Sequence, residues 1–225
     1  MPGMTGTPGA TGEAQALLAA SHVAVLADPE AAKRAMRGRI RAERRARTAA
    51  QGEADARGLT DVLLELPEVA RSRCVAAYAS VDGEPGTGHL RATLRRFGIR
   101  VLLPLPGADG VLDWAEDDGD LRPGHGPGGP EPTTPRLGAT AVRQAGVVIV
   151  PALAVDTLGH RLGQGGGYYD RALPLLDASV PVLALVHDGE VLDAAVEPVP
   201  VGPHDQAVDA AVTPRRCLRL GRRPS

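Results

Sequence analysis

The sequence predicts a three-layer α/β/α single domain with a mostly parallel central sheet and a helical N-terminus. Three observations predict it. Gly146-Val147-Val148-Ile149-Val150-Pro151 is a continuous β-branched run of the kind buried on both faces of a parallel sheet. Residues 74–103 read strand, helix, strand, a unit that favours a parallel pair. Asp28-Pro29-Glu30 supplies an N-cap, a proline at the first helical position and an acid in the first turn, so a helix starts there.

Taken in order, residues 1–26 are rich in Gly, Ala, Thr and Pro and are expected as a disordered extension, ahead of an α/β domain over 27–215 and a tail over 216–225. The first helix should run over 28–48. Its apolar stripe is thin: Ala32, Met36 and Ile40 recur every fourth residue, with Lys33 and Arg37 beside them. Most of its arginines read as a solvated face. A second helix is expected over 53–66. Residues 74–79 read as a buried strand, closed by the turn-rich Asp82-Gly83-Glu84-Pro85-Gly86. Thr87 can then cap a helix ending at Gly98, and 99–103 forms the next strand.

Residues 104–135 become irregular, with an edge strand at 111–115 around Trp114 and a proline- and glycine-rich loop over 122–135. Beyond the central run, a helix is expected over 169–176, a buried strand over 182–186 and a last strand over 208–213.

Composition narrows the function classes. The chain has 225 residues, 43% of them apolar, which suffices for one sizeable core, and only 2% aromatic, so that core must be built from Val, Leu and Ala. A net charge of −2 argues against a general nucleic-acid binder. Cys74 and Cys217 lie far apart without metal or redox spacing, and no apolar stretch matches a signal peptide or the roughly 20 residues of a membrane span. A cytoplasmic protein is expected. No GxSxG elbow or zinc-ligand spacing is present.

Chemistry concentrates just after the central strand, in Arg161-Leu162-Gly163-Gln164-Gly165-Gly166-Gly167-Tyr168-Tyr169-Asp170-Arg171. Glycines let backbone N–H groups converge on an anion, and a helix beginning near Tyr168 points its N-terminus at the same spot. Arg161 can take a phosphate bidentately, and Asp170 can hold a divalent cation that bridges phosphate oxygens. This reads as a magnesium-nucleotide site, placed where ligands bind in open α/β sheets. The plain alternative is a tight strand-to-helix connection. Asp205, in Pro203-His204-Asp205-Gln206, is either a second metal carboxylate or the acid of an Asx turn.

Several segments together resemble the 5-formyltetrahydrofolate cyclo-ligase family, also called 5,10-methenyltetrahydrofolate synthetase, over residues 31–213. They are AKRAMR, AYASVDGEPGT, LRPG followed by PEP, VIVPALAVDTLGHRLGQGGGYYDR and PHDQAVDAAVT. The resemblance implies an ATP- and Mg2+-dependent ring closure of 5-formyltetrahydrofolate to 5,10-methenyltetrahydrofolate, with release of ADP and phosphate, by a monomer or weak dimer without membrane or nucleic-acid partners. It places Lys33, Arg37 and the loop Arg161, Leu162, Gly163, Gln164, Gly165, Gly166, Gly167, Tyr168 and Tyr169 at ATP, with Arg161 and Tyr168 as catalytic residues. It places Asp170 and Asp205 at the metal, and Val81, Glu84, Gly86 and residues 164–168 at the folate. Gly86 stands where the family has an acid, leaving Glu84 to supply the polar contact. Pro127 and Val155 stand where the family has aromatics. Two other readings stay open: a relative that keeps Mg-ATP but has lost or changed its folate, and a basic-helix module for RNA or an acidic protein.

Overall fold

Asp28 Oδ1 accepts the Ala31 N–H at 2.9 Å, and helix α1 (Pro29–Arg45) begins where the sequence places it. The computed structural model describes residues 28–107, 110–124 and 129–221, so the extension expected over 1–26 and the position of Pro127 lie outside the described residues. Helix α2 (Ala49–Glu65) starts earlier than residue 53 because Thr48 and Gln51 form a reciprocal capping box, with Gln51 N–H donating to Thr48 Oγ1 and Thr48 N–H donating to Gln51 Oε1. A one-turn helix α3 (Pro67–Ala70) leads into β1 (Cys74–Ala76).

Helix α4 (Gly88–Arg96) follows Thr87, which occupies the N-cap position but does not cap. Its hydroxyl instead donates to Tyr78 O at 2.6 Å and accepts from Ser80 N–H at 3.2 Å, fastening the loop between β1 and α4 to itself. Strands β2 (Arg100–Pro106) and β3 (Leu112–Glu116) form an antiparallel pair. The 122–135 segment holds a small ribbon of β4 (Leu121–Arg122) and β5 (Glu131–Pro132). Next come β6 (Val147–Pro151), β7 (Ala154–Asp156), β8 (Arg161–Leu162), a short helix α5 (Tyr168–Ala172), β9 (Val182–Leu185), β10 (Val191–Leu192), β11 (Ala210–Val212) and β12 (Cys217–Arg219).

The main sheet has the order β12-β11-β9-β6-β1-β2-β3, with the β-branched run at its centre; only the edge strands β3 and β12 run antiparallel to their neighbours. Residues 217–219, expected in a tail, therefore complete the sheet. Alternation along β6 sends Val148 and Val150 to one core and Val147 and Ile149 to the other. Leu59 and Leu63 of α2 and Leu90 and Leu94 of α4 cover the second face. The first face is closed by Ala141 and Val142 of a 3-10 turn, by Ala172 and Leu173, and by Trp114.

Helix α1 packs elsewhere, on a second sheet of order β10-β7-β8, where Ile40 and Met36 meet Leu153, Ala154, Leu162 and Leu192. The hairpin from β7 to β8 is built by Asp156, fully buried, whose Oδ1 accepts the N–H groups of Leu158 and His160 at 3.0 and 2.9 Å. Gly159 supplies the positive φ of 90° that the turn needs. This hairpin swings Arg161 back beside the carboxyl end of β6.

Candidate active site

A cleft of about 750 Å³ opens at the carboxyl ends of β1, β2 and β6, where an open α/β sheet places its ligands. Its floor is the segment from Arg161 to Asp170. Its two sides are α1 with the 202–206 turn, and the loop after β1 with the ends of β2 and β3.

Helix α1 reaches the glycine segment through two arginines one turn apart. Arg37 Nε donates to Gly163 O at 2.9 Å, and Arg41 donates to the side-chain and main-chain oxygens of Gln164 at 2.7 and 3.1 Å. Gly165 and Gly167 have φ of 106° and 65°, values that bar most other residues. Arg37 is the nearest group to the space a Gly165 Cβ would take, 3.5 Å away. The N–H groups of Gln164, Gly165, Gly166 and Gly167 donate to no acceptor among the described residues. Four successive N–H groups without an internal acceptor, with basic side chains beside them, are suited to holding an anion. The helix expected to add its dipole has only five residues, so this capacity rests on these N–H groups and on the basic side chains.

Lys33, expected on the rim of an apolar stripe, is buried at 5% exposure, its Nζ 2.5 Å from Asp205 Oδ2 and 3.2 Å from Glu30 Oε1. Burial alone pushes its ammonium pKa down, but Asp205 and Glu30 outweigh this and hold it above the usual lysine range. Asp205 Oδ2 also accepts the Gly202 N–H at 2.6 Å, which fixes the turn carrying it. Arg161 donates to Asp170 Oδ1 at 2.9 Å and to Pro151 O at 3.3 Å, lies 5.7 Å over the Tyr169 ring, and keeps a buried Nε without a partner. Asp170 Oδ1 receives the Gln206 N–H at 3.2 Å, joining the two acid-bearing segments. The Tyr169 hydroxyl is also buried without a partner, and burial pushes its pKa up. No group of three or more His, Cys, Asp or Glu gathers as a metal site among the described residues.

On the opposite side, Val81 and Glu84 line the cleft with Tyr78, Pro104, Pro106 and Leu112. Glu84 accepts from Val81 N–H at 3.2 Å and from the Gln164 amide at 3.4 Å, and burial raises its carboxyl pKa despite both bonds. Gly86 lines an adjoining cavity that shares Val81, Glu84 and Gln164 with this cleft, rather than the cleft itself, and a Cβ there would meet Ala56 Cβ of α2 at 2.8 Å. Val155 and Trp114 are outside the cleft too, buried in the core at 0% and 1% exposure. Sequence reasoning missed Arg41, whose spacing of four from Arg37 was the available signal, and Arg171, which donates to Gly166 O and Gly110 O at 2.8 Å each and stacks 5.5 Å over Tyr168. It also missed Arg44. Rather than lying on a solvated face, Arg44 is buried in a two-pronged pair with Glu190 at 2.7 Å per bond.

Fold and site together define an open α/β protein with a glycine-floored, cation-lined cleft at the carboxyl ends of its parallel strands. A sequence profile of the 5-formyltetrahydrofolate cyclo-ligase family matches residues 29–214. The chain is 42% identical over 153 residues to the 5-formyltetrahydrofolate cyclo-ligase of Mycolicibacterium smegmatis, covering 64% of this chain and 75% of that one. To that of Escherichia coli (strain K12) it is 32% identical over 187 residues, covering 79% and 97%. A solved 5,10-methenyltetrahydrofolate synthetase from Aquifex aeolicus superposes with a TM-score of 0.70 at 24% identity, covering 86% of this chain and 95% of that one, which shows the shared fold. The chain belongs to the 5-formyltetrahydrofolate cyclo-ligase family and is a ligase. Among the described residues no helix is long and apolar enough to cross a membrane.

Proposed function

We propose that the cleft binds Mg-ATP and 5-formyltetrahydrofolate side by side and closes the folate ring to give 5,10-methenyltetrahydrofolate, ADP and phosphate. The observation that carries this reading is that Lys33, Arg37 and Arg161 line one cleft with a glycine segment whose N–H groups have no acceptor among the described residues. The formyl oxygen is a poor leaving group. Transfer of the γ-phosphoryl group onto it makes phosphate the leaving group; N10 then attacks the activated carbon and gives up its proton to solvent, and the C–O bond to phosphate breaks to release it. No protein nucleophile is required, so positioning and charge neutralisation carry the catalysis.

In this reading Lys33, Arg37 and Arg161 take the phosphate oxygens, and the unpartnered Arg161 Nε is a donor still available to one of them. Tyr168, stacked under Arg171, separates nucleotide from folate. Magnesium, held by Asp170 and Asp205 with water and phosphate completing its shell, would neutralise charge on the transferring group. Glu84 takes the polar edge of the pterin, while Tyr78, Pro104 and Leu112 give an apolar wall for its ring. A lost folate substrate is favoured by the missing acid at Gly86 and by Pro127 in place of an aromatic, whereas Val155 belongs to the core. The test is phosphate release: it should require ATP, magnesium and 5-formyltetrahydrofolate together. Release that ignores the folate would refute the assignment.

A further inference from the structure

The two cations best placed for phosphate are already paired with the two acids best placed for metal. Lys33 Nζ sits 2.5 Å from Asp205 Oδ2, and Arg161 donates to Asp170 Oδ1 at 2.9 Å. Side-chain exposure is 6% for Lys33 and 4% for Arg161, against 27% for Asp205 and 22% for Asp170. The cations are therefore the buried members of each pair. A buried charge stripped of its partner is costly, because little water is there to replace it.

We propose that Asp205 and Asp170 are internal counter-ions that hold Lys33 and Arg161 paired in the absence of nucleotide, and that nucleotide and divalent cation enter by partner exchange. Phosphate oxygens take the ammonium and the guanidinium, and the released carboxylates take the metal. This rests on the Mg-nucleotide reading and adds a rule to it. Nucleotide alone displaces two carboxylates and leaves them facing phosphate. Metal alone takes the carboxylate from both buried cations, leaving Lys33 only the exposed Glu30 and Arg161 only the Pro151 carbonyl. Only the two together leave every charge paired, so each raises the affinity of the protein for the other by the same factor. A single set of charges thus serves two states, and no extra residue is needed to keep the site neutral.

The rule makes a prediction that simple metal ligation does not: removing an acid improves nucleotide binding when no metal is present. Asp205→Asn and Asp170→Asn each keep a side-chain oxygen for the backbone N–H groups of Gly202 and Gln206, so the local turns survive. ATP affinity is measured by calorimetry on the full chain, in EDTA and in magnesium, for the unaltered protein, both single variants and the double variant. Glu84→Gln, which removes a charge from the same cleft but not from these pairs, is the control. In EDTA the double variant should bind ATP about tenfold or more tightly than the unaltered protein, and magnesium should then add little.

No gain in the Asn variants overturns the exchange, and so does an equal gain in Glu84→Gln, which would mark a general charge effect. A second readout needs no variant. The thermal midpoint of the unaltered chain should rise with ATP and magnesium together and stay put with ATP in EDTA; a full rise in EDTA contradicts the rule. Failure of the unaltered chain to bind ATP even with magnesium is a different result, and it removes the nucleotide reading itself together with this inference.

Discussion

Gly86→Ala tests whether packing against α2 excludes a side chain from the loop after β1, where the family resemblance leads one to expect an acid. A Cβ at residue 86 would stand 2.8 Å from the Cβ of Ala56, whereas carbons pack at about 3.5–4.0 Å, an overlap of about 1 Å. Ala56 is 7% exposed on α2 and has no rotamer to retreat into, so loop or helix must move. Overpacking of this kind costs about 1–3 kcal/mol, offset in part by about 0.4–1 kcal/mol from restricting the unfolded chain. A net loss of about 1–2 kcal/mol lowers the melting point by about 2–8 °C in a domain of this size. Residue 86 has no positive φ, so the contact alone causes the loss. The assay is thermal or urea unfolding of Gly86→Ala, Ala56→Gly and the double variant. The double should be more stable than the two singles sum to, since removing the Ala56 methyl makes room. Unchanged stability in Gly86→Ala, or a strictly additive cycle, refutes the argument that this packing excludes a side chain there.

Three further outcomes are expected. Glu190→Ala leaves the Arg44 guanidinium buried without its carboxylate and should cost about 3–5 kcal/mol in urea unfolding, whereas Arg44→Met with Glu190→Leu should recover most of it. Glu84→Ala should raise the KM for 5-formyltetrahydrofolate about tenfold, the worth of one hydrogen bond to a charged group, with the KM for ATP unchanged. Because burial raises the Glu84 pKa, its ionisation opposes folding at neutral pH. Glu84→Gln should therefore be more stable than the parent there, and the difference should vanish as pH falls below the ordinary carboxyl range. A difference that grows toward acid pH would contradict that sign.

Where one physical signal sufficed, the sequence was legible. A β-branched run marks the central strand because residues buried on both faces must be apolar throughout, and Asp28-Pro29 marks a helix start because capping is local. Short strands escaped: β7, β8 and β10 have two or three residues each, the pairing of β7 with β8 is set by the Asp156 turn, and β10 pairs with β7 from a distant segment. Strand β12 escaped because an edge strand of Cys217–Arg219 reads as a polar tail until β11 is there to pair with it.

The glycine segment was legible as a site because its residue types make little sense otherwise. Its context was not. Whether a basic residue on α1 faces water or the protein depends on which sheet the helix packs against, and α1 packs on β7 and β8, turning Lys33, Arg37 and Arg44 inward while the exposed Arg41 reaches across to Gln164. Likewise Val155 looked like a pocket position from its motif and proved to be core, because all three residues of β7 are buried and none lines the cleft.

The central claim is that this cleft couples ATP to closure of the folate ring. Its most direct test follows the near-ultraviolet absorbance of the methenyl product alongside ADP, with 5-formyltetrahydrofolate, ATP and magnesium supplied together. The account predicts one methenyl product for each ADP formed, and loss of both on Arg161→Met. ADP formed without methenyl product, or methenyl product formed without ATP, would contradict it.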